Sequence, residues 1–166
     1  LIGVSEYFWP REGHVLGRVL MTALGFEVVI GGLTFTGSLM AAGKLQGLLP
    51  GAPITYKGQN ASNIVLLATV IVLLLGLIIV LPHDSPWFLV MVGLALVFGF
   101  LLVIPIGAAD MPVVISLLNS YAGLADAAMG FVLMNKIQII TGSLDGTSGF
   151  LLSLLMCRAM NRSAMN

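Results

Sequence analysis

The sequence predicts an all-α integral membrane protein, a bundle of about five transmembrane helices, and three observations carry that prediction. Of its 166 residues, 58% are hydrophobic and only 8% are charged, whereas a soluble domain carries roughly a quarter of its residues as charges. Mean hydropathy is +1.08, so most of the outer surface must meet something apolar, and lipid is the common solvent of that kind. Finally, the apolar residues fall into long stretches separated by clear breaks. Each stretch is near the ~20 residues a helix needs to cross a hydrocarbon core about 30 Å thick.

The first span runs over 15–43 and is stopped by Lys44, Gly47 and Leu49-Pro50-Gly51-Ala52-Pro53. The second covers 63–81 and ends at Pro82-His83-Asp84-Ser85-Pro86. The third, 86–104, starts at Pro86, since proline is well tolerated in a first helical turn, and ends at Ile104-Pro105. The fourth starts at Met111-Pro112 and runs over 111–134, and the fifth covers 137–160. Together they make residues 1–166 a single membrane domain. Lipid offers no partner for backbone N–H and C=O groups, so runs of this length read as helices. A β-barrel would show short alternating segments. The chain opens at Leu1, and residues 1–13 hold Glu6, Trp9, Pro10, Arg11 and Glu12, unlike the basic-then-apolar layout of a signal peptide. They read as a loop at the start of a fragment. Lys44, Lys57, Arg158 and Arg162 share one side with Asp110, against Arg11, Arg18 and Lys136 on the other. This excess of basic residues, four against three, places the C-terminus in the cytoplasm.

Several chemistries are disfavoured. Formal net charge is zero, which gives no basis for a nucleic-acid partner. The single cysteine, Cys157, excludes an internal disulfide and a multi-cysteine metal site. His14 and His83 are isolated, which argues against a metal centre. There is no G-x-G-x-x-G after a strand, no Walker loop and no Ser-His-Asp or Cys-His arrangement.

The second and third spans are almost purely aliphatic and read as lipid-facing walls. The other three each carry a polar, small-residue face. On the fourth, Pro112, Ser116, Asn119, Gly123, Asp126 and Gly130 recur at steps of three or four, which places them on one side of a helix. Ala127 widens that surface, and small residues let a neighbouring backbone approach. On the fifth, Gly142, Gly146, Gly149 and Ser153 form a stripe edged by Thr141, Asp145 and Ser148. On the first, Glu27, Gly31, Thr34, Ser38 and Ala42 share a face. These three faces are expected to meet at one seam. An acid at a helix centre costs about 2.5–3.5 kcal/mol to insert, so Glu27, Asp126 and Asp145 each ask for a reason. They either bind or relay protons in a hydrated seam or pair with a neighbouring helix. The amide of Asn119 both donates and accepts, and it too suits either water binding or helix bridging.

The stretch Gly107-Ala108-Ala109-Asp110-Met111-Pro112-Val113-Val114-Ile115-Ser116-Leu117-Leu118-Asn119-Ser120-Tyr121-Ala122-Gly123 closely resembles the membrane domain of the β subunit of proton-translocating NAD(P) transhydrogenases. Thr34-Phe35-Thr36-Gly37-Ser38, then Gly43-Lys44-Leu45-Gln46-Gly47, is similar to an earlier helix of that subunit. Met156-Cys157-Arg158-Ala159-Met160-Asn161-Arg162-Ser163 resembles the end of its last membrane helix. The matches lie in order over residues 31–163.

The resemblance implies a Re/Si-specific enzyme that passes hydride from NADH to NADP⁺ and couples it to inward proton movement. It implies NAD(H) and NADP(H) bound outside this chain, an NADP(H)-binding domain after its C-terminus, an α-subunit partner, a dimeric holoenzyme, no metal, and a bacterial or mitochondrial inner membrane. It matches Asp110 to a loop acid facing the NADP(H) domain, Asn119 to a helix asparagine of the proton path, and Ser38 to a serine lining it. Gly142, Gly146 and Gly149, with Thr147 and Ser148, match a last helix that transmits nucleotide state to the pore. The chain also departs from the family pattern. Asp126 and Asp145 stand where small or apolar residues are expected, and Ala108 replaces a glycine. The family's proton-binding histidine belongs to a helix preceding this chain. From the residues alone, a proton- or ion-coupled secondary transporter or channel, and a purely structural membrane subunit, remain alternatives.

Overall fold

The computed structural model describes residues 2–9, 17–79 and 85–161. Arg11, Glu12, His14, His83, Asp84 and Arg162, together with the predicted span ends at 15 and 81, lie outside these. The described residues form α1 (Ile2–Phe8), α2 (Arg18–Leu45), α3 (Gln59–Ile79), α4 (Trp87–Val103), a short 3-10 turn (Ala108–Asp110), α5 (Met111–Val132) and α6 (Lys136–Ala159). The predicted all-helical bundle is therefore what the chain forms. Among the described residues, four helices are long and apolar enough to cross a membrane, and α4, at 17 residues, is shorter. At 1.5 Å per residue, α4 still covers about 26 Å of depth.

α2 is the central element, packing against α4 and α5 and more lightly against α3 and α1. α3 behaves as a lipid-facing wall, since only Gln59, Val70 and Leu77 of its 21 residues are buried. α4 differs from that expectation. Its Phe88, Met91, Ala95, Phe98, Gly99 and Val103 are buried, and steps of three and four put them on one face. That face meets α2 at close range. A Cβ on Gly99 would run into the Leu33 carbonyl and the Thr36 hydroxyl, while the Thr36 hydroxyl donates across the contact to the Leu96 carbonyl at 2.8 Å. An all-apolar sequence hides such a face, because the side toward lipid is as apolar as the side toward protein.

The opening segment is a correction: residues 2–8 are helical where a loop was expected. A seven-residue helix is not stable alone, and tertiary contact supplies the stability. Tyr7 is 1% exposed and stacks on Phe88 with ring centroids 3.8 Å apart and planes 8° apart. Its hydroxyl accepts from the Ser85 backbone N–H at 3.1 Å. These rings belong to a core cluster that includes Leu24, Val28, Val70, Met91 and Met129. A second cluster gathers Leu33, Met40, Ala41, Phe98, Val103, Met111 and Leu118.

Successive spans reverse direction, so the ends of α2, α4 and α6 and the start of α5 share one side of the bundle. Loop backbones are tied together there. The Ala108 N–H donates to the Gly51 carbonyl at 2.9 Å and the Ile54 N–H to the Ile104 carbonyl at 3.4 Å. Lys44, only 3% exposed, reaches across from α2 and donates to the carbonyls of Val103 (3.4 Å), Ile104 (2.5 Å) and Ile106 (2.8 Å).

Replacing Gly99 with Leu is expected to force α4 off α2 and lower stability by about 1–3 kcal/mol, the usual cost of overpacking. Reversible unfolding in mixed detergent micelles measures this, with Gly93→Leu as control because a Cβ there meets nothing within 4 Å.

Candidate functional site

The site is built where α5 and α6 run antiparallel after a tight connection. α5 ends with Met134 in the left-handed region (φ 53°), with the Asn135 N–H returning to the Gly130 carbonyl at 2.9 Å and the Met134 N–H to the Phe131 carbonyl at 3.3 Å. This is the Schellman arrangement that satisfies terminal carbonyls. Asn135 then caps α6, its Oδ1 accepting from the N–H groups of Ile137 (3.1 Å) and Gln138 (3.4 Å).

From that hairpin the two helices pack backbone to backbone. A Cβ on Gly142 would lie 2.5 Å from the Ala127 nitrogen and 2.8 Å from the Gly123 oxygen, and one on Gly149 would lie 2.8 Å from the Ser120 nitrogen. A Cβ on Gly123 would strike the backbone of Gly146. Small residues permit such approach, and contact of this kind holds membrane helices together where the hydrophobic effect cannot. Two serines fasten the seam. The Ser116 hydroxyl donates to the Gly149 carbonyl at 2.9 Å, and the Ser120 hydroxyl donates to the Gly146 carbonyl at 2.6 Å.

Along one edge of this seam the polar side chains pair across the helices. Asn119 Nδ2 donates to Asp145 Oδ1 at 3.2 Å, and Gln138 Nε2 donates to Asp126 Oδ1 at 2.7 Å. Asn119 is the ninth residue of α5 and Asp145 the tenth of α6, so their pair sits near mid-depth. The Asp126–Gln138 pair lies about 10 Å further toward the hairpin, seven residues along α5. Toward the other end the edge opens into a groove of ≈ 850 Å³, lined by Pro112, Ser116, Asn119, Ser148 and Gly149, with Leu152 and Leu155 among its apolar walls. Asp126 and Asp145 thus each have an amide partner on the exposed edge of the helix pair, which removes part of the cost of placing them within a span.

The remaining predicted residues fall as follows. Gly142, Gly146 and Gly149 are buried in the seam. The Ser148 hydroxyl donates to the Asp145 carbonyl of its own helix at 2.9 Å and borders the groove. Thr147 is exposed, its hydroxyl donating to the Ser143 carbonyl at 2.7 Å, so it forms no part of the close contact. Asp110 closes the 3-10 turn immediately before α5 and is half-buried. Glu27 is half-buried, and its Oε2 is enclosed without a hydrogen-bond partner among the described residues, close against Gly3 of α1.

A single three-helix seam does not form. α5 packs against both α2 and α6, whereas α2 and α6 share no extensive contact. α2 buries a face that runs through Leu24, Val28, Leu33, Met40 and Ala41 and takes in Thr34 of the stripe, leaving Ser38 and Ala42 exposed. Sequence reasoning also passed over Gln138, Ser120, Thr36 and Lys44. The serine could have been found, since Ser120 lies four residues after Ser116 and faces the same glycine stripe. Gln138 gives no signal until the hairpin folds it onto Asp126.

A family model described as the NAD(P) transhydrogenase beta subunit matches residues 1–166. The chain belongs to the NAD(P) transhydrogenase β-subunit family. Two sequences named NAD(P) transhydrogenase subunit beta, both from Rhodospirillum rubrum and one from a designated strain, are each 49% identical to it over 150 residues. The match takes in 90% of this chain, which spans 32% of the length of those relatives. The α5–α6 seam is thus part of a transhydrogenase membrane component, and the family is one of oxidoreductases acting on nicotinamide nucleotides.

Replacing Asn135 with Ala removes the α6 cap and should destabilise this β-subunit segment by about 0.5–2 kcal/mol. The expected signature in detergent unfolding is loss of the α6 amides' exchange protection ahead of the rest, starting from the hairpin.

Proposed function

We propose that this chain is the proton-translocating membrane segment of an NAD(P) transhydrogenase, coupling hydride transfer from NADH to NADP⁺ to inward proton movement. The observation that carries the reading is a carboxyl, Asp145, held by Asn119 near mid-depth in a chain of this family. A carboxyl can take up and release a proton there. An amide whose Nδ2 is engaged by it keeps Oδ1 as an acceptor for water. Asp126 and Glu27 extend the path toward the hairpin side. The groove beside Ser148 and Ser116 extends it toward the end that carries Asp110.

In this reading NAD(H) and NADP(H) are bound by domains outside this chain. When bound, the nucleotides supply and accept the hydride. The residues of this chain hold and move the proton. In this reading the cytoplasmic C-terminus leads into the NADP(H)-binding domain, Asp110 meets that domain, and the α subunit completes a dimeric holoenzyme in the inner membrane. Thr147 and Ser148 with the three seam glycines form the helix that shifts with nucleotide state. Coupling is reciprocal by linkage: whatever nucleotide state biases the proton site is itself biased by the proton gradient. Moving one charge through the membrane potential supplies about 2.3 kcal/mol per 100 mV, enough to shift a nearly balanced hydride exchange well over tenfold.

The test uses the full-length protein with its partner subunit in sealed vesicles, following hydride transfer from NADH to an NADP⁺ analogue with and without a proton gradient. Asn119→Ala is expected to abolish gradient stimulation. Stimulation equal to wild type would remove Asn119 from the path. Asp110→Asn is expected to weaken the same stimulation while the protein still inserts in the membrane at normal levels, and a failure to insert would count against a role in coupling.

A further inference from the structure

Lys44 is the buried cation that the proposed proton path does not use. Its stem is enclosed, the residue is 3% exposed, and its ammonium donates to three carbonyls, those of Val103, Ile104 and Ile106. An ammonium has three N–H donors and no acceptor, so three carbonyls match its capacity. The acceptors belong to the last residues of α4 and to the segment just beyond it. Those are groups that a helix leaves unpaired at its C-terminus, and a positive charge is favoured there by the helix dipole. α4 ends at Val103, so these carbonyls have no α-helical partner. The Ile106 N–H reaches the Val103 carbonyl at 3.2 Å and the Ile54 N–H reaches the Ile104 carbonyl at 3.4 Å, and Lys44 adds a charged donor to each. Four residues after Ile106 stands Asp110.

We infer that Lys44 is a positioning residue that latches the α4–α5 connection to the end of α2, so that movement of the Asp110 turn is carried directly into α2. The latch holds one side of the turn. The Gly51 carbonyl holds the other by accepting from the Ala108 N–H at 2.9 Å. The segment from Ile104 to Asp110 therefore cannot shift without pulling on α2 or breaking charge-assisted hydrogen bonds, which are the stronger kind. Ser38 lies six residues before Lys44 on the same helix, about 9 Å along its axis. This inference rests on the transhydrogenase reading for its functional consequence and on geometry alone for the latch.

Two measurements on the full-length protein with its partner subunit separate those parts. The first is the ratio of hydride-transfer rates with and without a proton gradient, for wild type, Lys44→Met and Lys44→Arg. Lys44→Met keeps stem length and removes every donor. It is expected to lower the ratio by at least about fivefold, the low end of coupling between sites, while the gradient-independent rate per inserted protein stays near wild type. Lys44→Arg, which keeps a cation and its donors, is expected to restore most of the ratio. A loss of both rates in proportion, leaving the ratio unchanged, would show a merely structural role and overturn the coupling. If Lys44→Met does not accumulate in the membrane, Lys44→Gln, uncharged but with two N–H donors, replaces it.

The second measurement is amide hydrogen exchange over residues 106–110. Exchange there is expected to quicken in the donor-poor variant while α5 and α6 keep their protection, and unchanged exchange would overturn the latch whatever the activity. A wild-type protein with no gradient-dependent transfer would instead overturn the transhydrogenase reading, leaving the exchange data to decide the latch.

Discussion

Backbone contact between α5 and α6 is the constraint on which the rest of this structure depends. In hydrocarbon, apolar side chains gain little by meeting one another rather than lipid, so close packing and hydrogen bonding must supply the attraction. Gly123, Gly142, Gly146 and Gly149 remove the side chains that would keep the two helices apart. The hydroxyls of Ser116 and Ser120 then reach carbonyls on the other helix. This register brings Asn119 to Asp145 and Asp126 to Gln138. A slip of one residue along either helix would turn these groups away from each other, so the glycines position the polar pairs although they do none of the chemistry themselves.

Burial is distributed unevenly around that contact. α2 occupies the middle, α3 gives nearly all its surface to lipid, and α4 divides its surface between the two. The ends of the bundle are held by further polar contacts. On one side Tyr7 joins α1 to α4 through Phe88 and Ser85. On the other, Lys44 and the two loop hydrogen bonds gather the ends of α2 and α4 beside Asp110. Within the spans close packing and a few side-chain hydrogen bonds act together, and at the two ends directional bonds to loop backbone join them.

Much of this was legible in the residues. Span positions followed from hydropathy and from prolines at helix starts, and α5 and α6 begin at or within one residue of where Met111-Pro112 and Ile137 place them. The small-residue stripe from Gly142 to Ser153 was legible because steps of three and four define a face whatever surrounds it. The opening helix was not, since its stability comes from Phe88, far away in the chain. Nor was the buried side of α4, because hydropathy assigns the same value to a residue touching lipid and one touching protein.

What the sequence determined by itself is therefore the class of solvent, the all-helical architecture, the family, and the small-residue face of α6. Those depend on local composition and on the 3.6-residue period of the helix, both of which are properties of a stretch of chain. Only the tertiary structure decided which faces meet. It joined α5 to α6, set Ser38 apart from that seam, gave each of Asp126 and Asp145 its amide, and sent Lys44 to the end of α4. Pairing depends on volume, register and reach between residues distant in the chain, and the pattern along a single helix records none of these.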